Sequence, residues 1–563
     1  MRLALRPLCR VATPRALTRP LYRVVAPHAV RFASSYPSAC ATIQPPTDKP
    51  LFDYLRERGD WSGCGDKTAL IEAYTGNSVR YSELEARVHG VAHALHALGF
   101  RQGDVLSLHL HNCIEFILAF MATATLGGTV TTSNPAYTAH ELAMQLNDSG
   151  AKVVLSGNAY REVVSQATAS LSGPPLLAVS YIEESGCFAH APPREDPVAL
   201  TKALRPTEDV LVLPYSSGTT GRPKGVMLSH YNVLANVAQL NDPSCAAARF
   251  PFGADDVLVG LLPLYHIYGM TVLMCTALAT QSQLVLLPKF EPETFVRTIE
   301  RYRVSVACVA PPVCLFLAKH PVVDTADLSS LKFIYSGAAP LDALQEKAVV
   351  NRLGGSVRVR QAWGMTELSP VALVAGADVE VPGSAGRVVP NTEVKIVDPL
   401  TGEDLGVDAE GELCVRGPQV MLGYLNRPEA TAETMRPDGF LRSGDLARID
   451  ADGNVFVGDR LKELIKVKGF QVSPAEVEGA LLENDAVEDC CVIGVADERS
   501  GQVPKAFVKL RAGSETVDAE ALLESVRPRL AKYKWPQHVE MVDAIPKSPS
   551  GKILRRVLRD ANR

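Results

Sequence analysis

Between residues 50 and 460, short β-rich apolar runs alternate with helical patterns, and this alternation limits the fold more than any other feature of the chain. Lys152-Val-Val-Leu-Ser156, Leu284-Val-Leu-Leu287 and Ser305-Val-Ala-Cys-Val309 read as strands, flanked by amphipathic stretches such as Glu293–Tyr302. Strands that alternate with helices build a parallel sheet covered on its faces. The expected class is α/β, with a large N-terminal domain of layered α/β sheets. From about residue 380 the texture changes to short strands with Gly/Asp turns. Val394-Lys-Ile-Val397, Gly411-Glu-Leu-Cys-Val415 and Asn454-Val-Phe-Val457 form an expected small β-unit. Asp459-Arg460-Leu461-Lys462 reads as a boundary, dividing residues 47–459 from 460–563. Beyond it, helices over 475–484 and 518–530 and strands at Cys490–Ile493 and Lys505–Val508 predict a small α+β module. About a hundred residues suffice for such a core.

Composition removes several alternatives. A hydrophobic fraction of 47% and a charged fraction of 21% are ordinary for a globular chain. The twelve cysteines are scattered without zinc spacing, which predicts free, mostly buried thiols in a reducing compartment. His89, His93 and His96 fall at helical spacing and read as one face of a surface helix rather than a metal site. Residues 1–47 hold seven arginines and no Asp or Glu, with Ser and Ala gathering near Arg31-Phe-Ala-Ser-Ser35. That composition reads as a mitochondrial transit peptide over residues 1–35; a basic tail or a plastid address has similar texture. Its removal would take the formal charge from −5 to −12, which leaves no electrostatic case for binding nucleic acid. Val257–Pro288 lacks charged residues and is long enough to span a bilayer. Pro263, Tyr265, His266, Tyr268 and Gly269 interrupt it, so a strand, a turn, a buried helix and a second strand are expected instead.

The densest chemical signal is Tyr215-Ser-Ser-Gly-Thr-Thr-Gly-Arg-Pro-Lys-Gly225, with three glycines, four hydroxyls and one lysine in eleven residues. It follows the apolar run Val210-Leu-Val-Leu-Pro214. Glycines bring backbone N–H groups close to a ligand, hydroxyls add donors, and Lys224 adds a point charge suited to phosphate. It is not the Gly-x-x-x-x-Gly-Lys-Ser/Thr nucleotide loop. Counted from Gly218, Pro223 stands at the second glycine and Gly225 at the final hydroxyl.

Ser216–Gly225 resembles the phosphate loop of the adenylate-forming (AMP-binding) superfamily, which comprises acyl- and aryl-CoA synthetases, luciferases and peptide-synthetase adenylation domains. Four further segments match in order: Gln361-Ala-Trp-Gly-Met-Thr-Glu367, Arg442-Ser-Gly-Asp445, Gly458–Gln471 and Pro549-Ser-Gly-Lys-Ile-Leu-Arg555. Pro263-Leu-Tyr-His-Ile-Tyr-Gly269 and Leu287-Pro-Lys-Phe290 are similar to the 4-coumarate-CoA ligase-like branch. The resemblance implies an acid–thiol ligase with a small mobile C-terminal lid. A carboxylate attacks the α-phosphate of ATP, and coenzyme A then takes the acyl group from the adenylate.

Roles follow from the same resemblance. Ser216, Ser217, Gly218, Thr219, Thr220, Gly221 and Lys224 would hold the β- and γ-phosphates. Thr366 would touch phosphate and Glu367 would bind Mg²⁺, a hard cation that favours carboxylate oxygen. Gln361 and Trp363 would frame adenine; the family usually has Gly-Tyr where this chain has Ala362-Trp363, which puts the wall of that pocket in question. Asp445 would accept from the ribose hydroxyls, assisted by Arg460. Lys552 would bridge carboxylate and α-phosphate during adenylation. Lys466 and Gln471 would meet the adenylate in the second step, with Lys468 and Gly469 along the pantetheine path. Lys462 matches the hinge, and Lys289 the residue that meets the CoA nucleotide. His266 matches a residue that moves to admit the acid. Tyr268, Gly269, Ala310, Ser336, Gly337, Ala338 and Ala339 are candidates for its pocket. No Arg or Lys is among them, so the expected acid has an apolar body, either aromatic or medium-chain fatty. A carrier-protein ligase, a luciferase-type enzyme and a non-catalytic nucleotide sensor are the rival readings.

Overall fold

A computed structural model describes residues 35–216, 223–377, 380–467, 470–497, 499–514, 517–548, 551 and 553–562, and the side chains of all of these except Phe470 and Gln471. The basic leader up to residue 34, Ser217–Gly221, Lys468, Gly469 and Lys552 lie outside the described residues.

Two sheets dominate. One has seven strands in the order Gly423–Tyr424, Lys224–Ser229, Val210–Ser216, Thr129–Thr132, Val105–His109, Ala151–Ser156 and Ala178–Tyr181. Its last five strands are parallel, while Val210–Ser216 and Lys224–Ser229 form an antiparallel hairpin. The second sheet has nine strands, with Val257–Gly260 between Val306–Val309 and Gln283–Leu286 and with Thr68–Glu72 beyond the latter. The helix Ile114–Thr125 has ten of its twelve residues buried, as an element covered on all sides must. A third sheet of six strands joins Glu393–Val397, Gly411–Arg416, Leu441–Ile449 and Val455–Arg460, which is the expected β-unit.

After Arg460 comes a five-stranded sheet built on the hairpin Val487–Asp497 with Gly501–Leu510. The helices Pro474–Leu482 and Ala519–Val526 cover it, and Ile465, Val477, Leu481, Val508 and Leu522 are part of its separate core. The stretch 257–288 is strand, turn, π-helix Tyr268–Cys275 with the α-helical turn Thr276–Thr280, then strand. No helix among the described residues is long and apolar enough to cross a membrane.

Two sequence expectations need correction. His89 is not on an open helix face: it is 5% exposed and lies beside Phe52, while His93 Nε2 bonds the Asp196 carbonyl at 2.9 Å. The cause is the crossing of 188–196 over this helix, so close that a Cβ on Gly90 would stand 2.2 Å from the Pro192 carbonyl oxygen. Nor are all described thiols free: Cys40 and Cys245 form a disulfide across 205 residues of sequence. Tyr36–Pro37 pairs with Glu393–Val394, and the segment it leads carries Cys40 to Cys245. The other nine described cysteines are free, and eight are buried.

Candidate active site

The hairpin Val210–Ser216/Lys224–Ser229 delivers the glycine-rich loop, with Ser216 and Lys224 paired at its mouth. The Lys224 ammonium lies 4.7 Å from the centre of the Tyr424 ring, a favourable cation–π distance. The Tyr424 hydroxyl donates to Glu367 Oε1 at 2.8 Å, and Glu367 is buried at the start of a short 3₁₀ turn, Thr366–Leu368. Lys224, Tyr424 and Glu367 therefore form one chain of contacts beside the loop. Sequence reasoning missed Tyr424; no local motif marks it. On the other side, the Tyr215 hydroxyl donates to Asp148, whose second oxygen accepts from Arg427 at 3.1 Å.

Asp445 and Arg460 face each other across neighbouring antiparallel strands. Arg460 Nε lies 3.2 Å from Asp445 Oδ1, and Trp363 Nε1 donates to Asp445 Oδ2 at 2.9 Å. A Trp at this position thus supplies a donor to the carboxylate as well as a flat face. Gln361 lines the same cleft as Trp363, with its amide engaged by neighbouring protein groups. Its amide accepts from Leu341 N–H and donates to Leu341 C=O, both at 2.9 Å, and donates to Glu346 at 2.6 Å. It shapes the wall by holding the main chain of residue 341. Burial raises the Glu346 carboxyl from its ordinary 4.5 to about 7, although the Gln361 bond favours its ionised form.

The turn that carries His266 is fixed from below by a buried amide. Asn112 Nδ2 donates to the carbonyls of Gly260, Leu262 and Leu287, and its Oδ1 accepts from Leu264 N–H. Thr132 Oγ1 donates to the Tyr265 carbonyl at 2.8 Å. Neither residue was foreseen, because each acts on main chain far away in sequence. His266 Nδ1 accepts from the Tyr268 N–H at 3.3 Å. Tyr268 is buried, and its hydroxyl reaches the Tyr335 carbonyl at 3.3 Å. A Cβ on Gly337 would stand 2.7 Å from the Tyr268 ring. Ala338 follows at φ +71°, a backbone conformation that costs a non-glycine residue roughly 1 kcal/mol.

Trp363, Asp445, Arg460, Gln361, Ala338 and Ala339 share one cleft of about 660 Å³. Its opposite wall comes from residues after 474, including Gly551. Gly551 has φ +81°, and a Cβ there would meet the Ala310 methyl at 2.7 Å. Lys224, His266, Tyr268, Gly337, Thr366 and Glu367 do not line this cleft, and neither do Lys289, Lys462 and Lys466. Lys289 is exposed and paired with Glu291 at 2.6 Å. Lys466 is exposed on the strand Ile465–Val467, and Gln471 is its partner on the next strand. Lys462 is exposed in the turn after Arg460. Among the described residues no group of three or more His, Cys, Asp or Glu side chains could cage a metal.

Layered α/β sheets followed by a smaller α+β unit, with a cleft lined by residues of both, define a two-part α/β class. The chain belongs to the AMP-binding enzyme family: residues 59–425 match the AMP-binding enzyme pattern and 476–552 its C-terminal domain. It is similar to 4-coumarate–CoA ligase 2 of Oryza sativa subsp. japonica, 40% identical over 92% of this chain and 93% of the relative. It is 39% identical to a 4-coumarate–CoA ligase of Pinus taeda, over 93% and 97% of the two chains. Among solved structures, ATP-bound MatB from Rhodopseudomonas palustris superposes with a TM-score of 0.81 at 30% identity, covering 91% of this chain and 99% of that one. The anthranilate CoA ligase AuaEII with anthranoyl-AMP gives a TM-score of 0.83 at 26% identity, covering 92% and 98%.

Proposed function

We propose that this protein is an ATP-dependent carboxylic acid–CoA ligase that forms an acyl-adenylate and then an acyl-CoA thioester, releasing pyrophosphate and AMP. The observation that carries this reading is the single cleft that joins the Trp363–Asp445–Arg460 group to the facing wall at Gly551. Asp445 binds the ribose, Trp363 lies against adenine, and Lys224 with the hydroxyls of Ser216–Thr220 holds the phosphates. Lys552, next to Gly551 in sequence, meets the α-phosphate during adenylation. Two anions must be brought together, so fixed donors and cations supply most of the acceleration. Glu367, with Thr366 beside it, suits Mg²⁺, which takes one or two protein carboxylates and completes its shell with phosphate and water. When bound, the ion neutralises charge on the departing pyrophosphate. Lys466, Gln471, Lys468 and Gly469 serve the thioester step after the lid, residues 460–563, has turned about Lys462. Lys289 meets the CoA nucleotide.

The acid has an apolar body. Tyr268 and Gly337 make a flat, narrow wall, and the similarity to 4-coumarate–CoA ligases supports an aromatic acid ahead of a medium-chain fatty one. The arginine-rich, acid-free leader supports delivery to the mitochondrial matrix. The test uses protein lacking residues 1–34, ATP, Mg²⁺ and a panel of cinnamates, benzoates and fatty acids, with and without CoA. Acid-dependent pyrophosphate release with CoA-dependent thioester supports the ligase. Release without thioester reassigns the acceptor, and no release with any acid defeats the reading.

A further inference from the structure

Arg555 begins the helix Arg555–Ala561, directly after the strand pairing of Lys547 with Ile553 that closes the hairpin over the cleft. Its side chain is 12% exposed. The guanidinium donates through Nη1 to Glu463 at 3.0 Å and through Nη2 to both oxygens of Glu478, at 2.6 and 2.7 Å. Glu478 in turn accepts from Val492 N–H at 2.7 Å. Asp459 stands near the same group and accepts from Ser473 Oγ and from Ala475 N–H at 2.8 Å, at the start of the helix Pro474–Leu482. One cation therefore balances three largely buried carboxylates. They come from the strand end before the domain boundary, the turn after it and the helix beyond.

The adenylation chemistry assigns no role to this cluster. Arg555 lines the cleft, yet its donors are directed at carboxylates, so it is not a phosphate ligand. Its place in the chain gives it a different use. The hairpin that it terminates is held at its base by Leu554 N–H on the Pro546 carbonyl and by Lys547 on Asp489 at 2.6 Å. At its tip it rests on Ala310 through Gly551. Without the guanidinium, Asp459, Glu463 and Glu478 would repel one another in a poorly solvated space. The turn and the helix would then separate, and the hairpin would lose its footing.

We propose that Arg555 is a positioning residue for adenylation: by tying Glu463 and Glu478 together it fixes Gly551 and the Lys547–Ile553 strand pairing, the described residues that flank Lys552 in sequence. This rests on the ligase reading and on the adenylating role that reading gives Lys552. The test compares the full chain with Arg555→Gln, Arg555→Lys and Glu463→Gln in two half-reactions. One is acid-dependent exchange of pyrophosphate into ATP. The other is thioester formation from synthetic acyl-adenylate and CoA, with thermal melting followed in parallel. In Arg555→Gln, kcat for exchange falls by about tenfold or more, as coupling through such a group allows, while KM for ATP and the thioester step hold. Arg555→Lys recovers part of the loss, and Glu463→Gln shows a smaller loss in the same direction. Equal losses in both half-reactions, or unchanged exchange, overturn the proposal. If Arg555→Gln does not fold, Glu463→Gln decides by the same split. Absence of exchange in the unaltered protein with every acid overturns the ligase reading itself, and is distinguished by that control.

Discussion

Gly337 leaves no room for a side chain against Tyr268. Gly337→Ala therefore displaces the ring towards the pocket proposed for the acid, and an overpacked methyl costs about 1–3 kcal/mol. The expected result is a rise of about tenfold in KM for the acid, with KM for ATP unchanged; steady-state kinetics with the best acid checks it. Trp363 makes a second test. Trp363→Phe keeps a flat face but removes the donor to Asp445, and a hydrogen bond to a charged group contributes about 1.5–3 kcal/mol. KM for ATP should rise roughly fivefold or more, with the largest rise in Trp363→Ala, because that variant also loses the stacking surface. At this scale the sequence was informative wherever a residue acts within its own motif. Asp445, Arg460 and Trp363, each singled out by its motif, come together in the structure, with Arg460 and Trp363 both in contact with Asp445. Asn112, Thr132, Tyr424 and Glu346 were illegible, because each works on a main chain or side chain distant in sequence.

At the scale of elements, apolar periodicity located the strands and helices but not their ends. Cys490–Ile493 and Lys505–Val508 are the buried centres of strands that run Val487–Asp497 and Gly501–Leu510. Their outer residues mix polar side chains with apolar ones such as Val487 and Val503, and they extend because each strand supplies the other with ladder bonds. The helix within 257–288 was legible as buried, but its π form was not. Such widened turns occur chiefly at functional sites, and this one begins at Tyr268. Burial also makes two elements sensitive to acid. His109 ends the strand Val105–His109 and His230 begins the helix His230–Asn241; burial lowers each imidazole from 6.5 to about 4. Their neutral forms are favoured in the folded protein, whereas the unfolded chain takes up protons from 6.5 downward. Stability from both is complete above pH 6.5 and is lost as pH falls towards 4. His230→Gln, whose amide can still accept from Leu51 N–H as the His230 Nδ1 does, should flatten part of that decline in melting temperature between pH 6.5 and 4. An unchanged slope would remove His230 from the account.

At the scale of the whole molecule, the alternation of strands and helices indicated layered parallel sheets, but not how the segments after Arg460 seat on them. That contact depends on close approaches such as Gly551 to Ala310, for which a lone glycine in a basic tail gives no signal. Gly551→Val forces a side chain against the Ala310 methyl and places a β-branched residue at positive φ, the latter at a cost of roughly 1–2 kcal/mol. Pyrophosphate exchange should fall several-fold, while thioester formation from supplied adenylate and the melting temperature change little, since the core around Ile465 and Leu522 is untouched. The disulfide between Cys40 and Cys245 was hidden for a similar reason, because no spacing rule links cysteines 205 residues apart. The nine-stranded sheet has one more consequence. Thr68–Glu72 lies inside it, beside Gln283–Leu286. During synthesis the earlier strand emerges long before its neighbour exists, and ribosomes adding 5–20 residues per second leave it waiting about 10–40 s. For that interval Ala69 and Leu70 have only the short strand Ser78–Arg80 to pair with, and the other edge of Thr68–Glu72 stays open until the later strand arrives.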